Sequence, residues 1–145
     1  MAIELVPLGT LRVQLKPPIV VGTGCAGTRV VFELAGVQLK GDRLRAEMMG
    51  AAAADWQLIG PEGTATLDIR ATLRTDDDAI IFVQFNGKYA TDASQDLNLV
   101  RAPLYVTPRF ETGDERYAWL NRIQAVGKGT AHMDLSIDYE WYEVR

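Results

Sequence analysis

Two aspartates and an arginine, Asp55, Asp68 and Arg70, are spaced so that strand pairing gathers them on one sheet face. If residues 60–63, Gly-Pro-Glu-Gly, close a hairpin with Ile59 opposite Thr64, then Asp55 falls across from Asp68 and Gln57 across from Thr66. If Asp76, Asp77 and Asp78 form a three-residue loop, Arg70 lies opposite Gln84 and Asp68 opposite Asn86. Like charges directly opposed destabilise a sheet unless one carboxyl holds a proton or a cation intervenes. The expected pair therefore has a raised pKa, with Arg70 as counter-ion. Such a pair suits general acid–base catalysis, and the guanidinium suits an oxygen anion. In this register Trp56, Leu67, Ile69, Val83 and Phe85 share the opposite face. The alternative is that the charged face points outward, where water screens the repulsion.

A further set alternates through Tyr105, Thr107, Arg109 and Glu111, ahead of Tyr117, Trp119 and Asn121. These residues are expected to line a mouth, or else to be a same-face ion pair and core anchors. The single histidine, His132, excludes a catalytic His triad, an HExxH helix and a His-rich metal site by counting. No metal and no cofactor are expected. Residues 22–27 spell GxGxxG, but the β-branched run from Arg29 to Phe32 reads as strand. A dinucleotide site needs a helix there, so these glycines read as a loop between strands. Cys25, alone in that loop, cannot form an internal disulfide and fits a reducing compartment.

The elements that must position these groups are strands. Ala65, Leu67, Ile69, Ala71 and Leu73 alternate with Thr66, Asp68, Arg70 and Thr72, the period of a half-buried strand. Residues 131–142 repeat the pattern as one strand, with Tyr139 and Trp141 on the apolar side, and residues 127–129, Gly-Lys-Gly, read as a hairpin loop. Residues 113–121 suit a helical turn, and the Ala-rich residues 44–54 are a weaker helix candidate. No crossover helix separates the strands, so the sheet is expected to be antiparallel. A single domain over residues 1–145, all-β, is expected to close as a barrel of about 8–10 strands.

Composition narrows the function. A net charge of -4 with no basic run disfavours nucleic acid as a partner. No apolar stretch approaches the ~20 residues of a membrane helix, and the N-terminus lacks signal-peptide form. No membrane partner is expected, and a cytoplasmic location follows.

The ordered set Ala54-Asp55-Trp56, Leu67-Asp68-Ile69-Arg70, Thr75-Asp76-Asp77, Pro108-Arg109-Phe110-Glu111-Thr112, Tyr117-Ala118-Trp119-Leu120-Asn121 and Tyr142-Glu143-Val144 resembles a family of small microbial proteins. That family is catalogued as domain of unknown function 3237, and the likeness spans residues 11–145. It implies a calycin-like or allene-oxide-cyclase-like small β-barrel, a homo-oligomer, without a settled activity. Here Ala51-Ala52-Ala53 stands where the family has Gly-Gly, Asp78 where it has glycine and Val106 where it often has arginine. Asp78 must then accept a left-handed conformation, which aspartate tolerates better than most residues.

The expectation is a cofactor-independent barrel that binds a small, partly apolar organic molecule as an isomerase, cyclase or lyase. Asp55, Asp68 and Arg70 form its catalytic group. Gln84, Asn86, Arg109, Glu111 and Asn121 supply polar contacts, and Trp56, Tyr105, Tyr117, Trp119, Tyr139 and Trp141 supply walls. The alternatives are a lipocalin-like carrier without chemistry and an oligomeric structural barrel.

Overall fold

The computed structural model describes residues 1–91 and 103–145, and all strand pairs among them are antiparallel. In chain order the strands are β1 (Leu5–Leu15), β2 (Ile19–Gly24), β3 (Gly27–Lys40), β4 (Arg45–Met48) and β5 (Ala54–Ile59). They continue as β6 (Thr64–Thr75), β7 (Ile80–Ala90), β8 (Leu104–Glu111), β9 (Gln124–Ala131) and β10 (Ser136–Val144). β1 and β2 run along one edge of β3 and are separated by Pro17-Pro18, which cannot donate to a ladder. β4 and β5 share the other edge of β3. With each of these couples counted as one stave, the sheet is a closed eight-stranded barrel, sealed where β1 pairs with both β10 and β3.

An eight-stranded barrel is about wide enough for side chains to fill it, and these do. Leu67, Ile69 and Leu73 from β6 meet Ile81, Val83 and Phe85 from β7. Trp141 sits edge-on to both Phe85 and Phe110, with ring centroids 5.3 and 5.7 Å away. Space for the large rings of β10 comes from β9, which turns Ala125, Gly127 and Gly129 inward. A Cβ on Gly129 would lie 2.5 Å from the Tyr139 ring, and one on Gly127 2.4 Å from Trp141. Gly127-Lys128-Gly129 is therefore the middle of β9, paired with Trp141, Glu140 and Tyr139, and not the expected loop.

The chain turns instead at residues 133–135, so the expected single strand over 131–142 is a strand end, a turn and a second strand. Met133, placed on the apolar side by alternation, is 81% exposed at the tip. The same three-residue turn recurs in the β5–β6, β6–β7 and β9–β10 hairpins. Gly60, Thr75 and His132 each donate to the carbonyl four residues on, and Gly63, Asp78 and Leu135 donate back. The last residue of each turn is left-handed, with φ of 80°, 69° and 63°. Residues 44–54, the helix candidate, hold β4 and loop. The GxGxxG segment is the β2–β3 hairpin, with Cys25 exposed at its turn.

A 3₁₀ helix, Glu115–Arg122, forms where residues 113–121 suggested a helical turn, and the Asp114 side chain caps it. It buries Leu120 at the barrel end where β8 stops and β9 starts, beside Phe110 and Leu44. The other end carries the β5–β6 and β9–β10 turns.

Two substitutions test this packing. Gly129→Ala is expected to lose about 1–3 kcal/mol in urea unfolding, because the new methyl meets a ring that cannot retreat; an unchanged midpoint contradicts the close approach. Asp78→Gly is expected to gain up to about 1 kcal/mol by relieving the left-handed aspartate, and a loss of stability contradicts that account.

Candidate functional site

The three-residue turn after Gly60 sets the β5–β6 register at Ile59–Ala65, Leu58–Thr66, Asp55–Ile69 and Ala54–Arg70. This is one residue from the expected pairing, and such a slip exchanges the faces of a strand. Asp55 therefore does not share a face with Asp68 and Arg70. Asp55 and Gln57 point into the barrel, while Trp56 moves outside and is 40% exposed. The β6–β7 register is as expected, with Arg70 opposite Gln84 and Asp68 opposite Asn86, but that face is the outer wall.

There Arg70 bridges Asp68 at 3.0 Å, Gln84 donates to Asp68 at 3.1 Å, and the guanidinium lies 5.6 Å from the Trp56 ring. Partial burial works to raise the Asp68 pKa, but the Arg70 and Gln84 hydrogen bonds outweigh it and hold the carboxyl below its usual range. Exposed pairs of this kind contribute about 0–1 kcal/mol.

Inside, the arrangement is different. Asp55 is 4% exposed, and its Oδ1 accepts from the Asp68 backbone N–H at 3.0 Å. Burial pushes its pKa up to about 7; the Asp68 amide opposes the shift and the Asp68 charge adds to it. The other buried carboxylate, Glu143, is paired with Arg43 at 2.7 Å and Arg145 at 3.0 Å, which overcome its desolvation and hold its pKa down. Asp55 has no such cation among the described residues.

Around Asp55 lie Gln57, whose Nε2 donates to Tyr89 Oη, and Tyr139. Burial, then the negative charge of Asp55, pushes the Tyr89 phenol up to about 12, with Gln57 opposing. Burial, then Asp55 and Tyr89, raises Tyr139. Tyr139 Oη and Trp141 Nε1 are buried with no hydrogen-bond partner among the described residues. A cavity of about 40 Å³ opens at this end, lined by Asp55, Gln57 and Tyr89 together with Phe32, Leu104 and Leu135. That volume admits a water or one small polar group. Among the described residues, no cluster of His, Cys, Asp and Glu is arranged to hold a metal ion.

The remaining expected residues do not converge here. Tyr105, Arg109 and Glu111 face outward on β8. Tyr105 and Asn86 line a shallow outer groove of about 800 Å³ with Lys88 and Lys128. Asn121 clamps Thr112 through two backbone contacts of 2.9 Å, Tyr117 donates to Asp77 at 2.8 Å, and Trp119 lies under Arg43 at 4.6 Å. These three secure the 3₁₀ helix at the opposite barrel end. Trp141 and Tyr139 are both core, and of the expected aromatic walls Tyr139 is the one whose phenol lies in the field of the Asp55 charge. Gln57 and Tyr89 were not among the expected site residues. Gln57 becomes visible once the turn is counted as three residues, because it then shares the inward face with Asp55. Tyr89 follows Phe85 and Gly87 on the inward side of β7.

The protein resembles several others in sequence and in fold. The UPF0311 protein RPA1785 of Rhodopseudomonas palustris is 29% identical over 116 residues, covering 74% of this chain and 75% of that protein. A beta-barrel like protein (ABAYE2633) from Acinetobacter baumannii matches at 30% identity and TM-score 0.88, covering 100% of this chain and 98% of that one. A protein described as an enzyme from Penicillium herquei shares the fold at TM-score 0.73 and 21% identity, covering 99% of this chain and 94% of that one. A family model described as "Protein of unknown function (DUF3237)" matches residues 3–144, and the chain belongs to that family.

Proposed function

We propose that this barrel binds a small, partly apolar organic molecule at the Asp55 end and performs acid–base chemistry on it, as an isomerase, cyclase or lyase without a cofactor. One observation carries the reading: Asp55 is buried in the lumen at the edge of a cavity, with no cation beside it among the described residues. A buried carboxyl without a partner is costly, and a carboxyl titrating near neutrality is suited to giving and taking a proton. The fold neighbour described as an enzyme is compatible with this reading.

The cavity's 40 Å³ admits a polar head, leaving the apolar part against Leu15, Phe32, Leu104 and Leu135 at the mouth. The role expected of Asp68 passes to its backbone amide, which orients Asp55. Arg70 acts at one remove, fixing the Asp68 side chain on the outer wall. No helix among the described residues is long and apolar enough to cross a membrane, and the exposed free Cys25 supports a reducing, cytoplasmic setting.

The test is a ligand screen by native mass spectrometry, followed by analysis of what is released. Binding weakened by Gln57→Leu, with a product distinct from the added compound and lost in Asp55→Asn, supports the enzyme. Recovery of the unchanged compound makes the protein a carrier. Binding indifferent to Asp55 and Gln57 removes the site.

The raised Asp55 pKa also has a stability signature. A carboxyl that holds its proton more tightly when folded contributes fully below about pH 4. That contribution erodes as pH climbs to about 7 and levels off above. Asp55→Asn keeps an acceptor for the Asp68 amide and removes the titration. Its advantage over the parent protein should therefore grow across this window, to on the order of a few kcal/mol at pH 8. A constant difference from pH 4 to 8 contradicts the raised value.

Assembly is a second proposal, favoured by the outer groove. Leu5 and Tyr105 are 52% and 58% exposed on its floor, with Lys88, Lys128 and Glu140 at hand for a symmetric contact between copies of this chain. Sedimentation should give a species heavier than the 16.0 kDa chain, returned to monomer by Tyr105→Glu. A monomeric parent protein removes the proposal.

A further inference from the structure

The phenol of Tyr139 is fully buried and donates to nothing among the described residues. Leaving a buried hydroxyl unpaired is unfavourable, because it forfeits the hydrogen bonds water would supply. Its neighbours along the barrel show what it could serve. Tyr139 pairs with Gly129, which pairs with Leu104, and Ile137 lies two residues nearer the mouth on the same inward face. Leu104 and Ile137 both line the Asp55 cavity, and Tyr139, which does not itself line it, is the next inward residue beyond Ile137 on β10. Tyr89, on the cavity wall, accepts from Gln57, which leaves the phenol's own hydrogen for donation. The site thus combines one carboxyl, which can take a proton, with phenolic donors, which can stabilise a developing oxygen anion.

We propose that the molecule bound here is an enolisable carbonyl compound, whose oxygen accepts a hydrogen bond from Tyr139 and whose adjacent C–H gives its proton to Asp55. The inference rests on the ligand-site reading above and specifies its chemistry. In the first step the Asp55 carboxylate takes the proton and the C–H electron pair becomes a C=C bond. The carbonyl π pair moves to oxygen, where Tyr139, aided by Tyr89, holds the enolate. In the second step Asp55 returns the same proton to the far carbon of the conjugated system and the C=O bond re-forms. The balance is a proton shift that needs no oxidant, reductant or co-reactant. Burial places the Asp55 carboxyl near neutrality, where a base of this kind is both available and strong enough. The cavity's size fits a carbonyl oxygen and its carbon, with the remaining skeleton at the apolar mouth.

Three probes applied to the intact protein test the assignment. Para-nitrophenol mimics the enolate, and its colour reports ionisation. The protein should bind its phenolate, Tyr139→Phe should weaken binding about 10-fold or more, and Asp55→Asn, by removing a neighbouring negative charge, should tighten it. With the β,γ-unsaturated isomer of cyclohexenone in deuterium oxide, the protein should move the double bond into conjugation. Asp55→Asn should stop this, and Tyr139→Phe should slow it by about 100-fold.

Benzyl alcohol is the neutral comparison. If it binds and Gln57→Leu or Asp55→Asn weakens it, while phenolate binding ignores Tyr139→Phe, the carbonyl assignment is wrong and the ligand site stands. If none of the probes binds, both are wrong. Because the Tyr139 hydroxyl has no partner, Tyr139→Phe should melt at or above the parent temperature. A clear drop means that the fold uses the hydroxyl, which also overturns the assignment.

Discussion

The turn at Pro61-Glu62-Gly63 decides which face of β5 the barrel must bury, and so whether Asp55 is inside. With Gly60 facing Thr64 across the turn, Asp55 enters the lumen while Asp68 is on the outer wall. A register shifted by one residue would put Asp55 on the outer wall with Asp68 and Arg70 and turn Trp56 inward, into a barrel whose volume is already taken by Phe85, Tyr139 and Trp141. Once Asp55 is inside, burial strips most of its water, and its hydrogen-bond support among the described residues is a single backbone amide. The neighbouring phenols and Gln57 then lie in the field of a group poised between charged and neutral.

The barrel separates its tasks between its ends. At one, the 3₁₀ helix seats Leu120, Asn121 ties it to Thr112, and Glu143 is neutralised by Arg43 and Arg145. Every polar group in that description has a partner, as expected of an end whose work is to stay shut. At the other, Asp55 lacks a cation and Tyr139 a hydrogen-bond partner among the described residues, beside a cavity whose rim includes Leu135 at φ 63°. An unpaired phenol and a left-handed leucine thus fall at the cavity end, while Trp141 Nε1 is unpaired in the core and the left-handed Asp78 sits in the β6–β7 turn.

Much of the architecture could be read from alternation. The inward rows of β6 and β7 and the closed antiparallel sheet follow from period-two patterns, and the pairing of Asp68 with Asn86 follows from a correctly counted loop. The two turn errors have one physical origin. The same turn is written with glycine at residue 63, aspartate at 78 and leucine at 135, because its left-handed position favours glycine without requiring it. Counting residues 60–63 as the loop shifted β5 by one and moved Asp55 to the wrong face. Leu135 gave no turn signal at all, so two strands read as one. Tyr117, Trp119 and Asn121 have spacing fit for either a mouth or an anchor. What settles their place is the packing of the helix against β8, which spacing does not contain.

The account depends on the carboxyl of Asp55 being dry and unpaired. Titrating ¹³C-labelled protein by NMR and following the Asp55 side-chain carboxyl resonance measures this directly, with Asp55→Asn to assign the peak. The account predicts a midpoint near 7. A midpoint near 4, the value of an aspartate in water, would mean that solvent or a cation reaches the group, and the proposed chemistry would have no base.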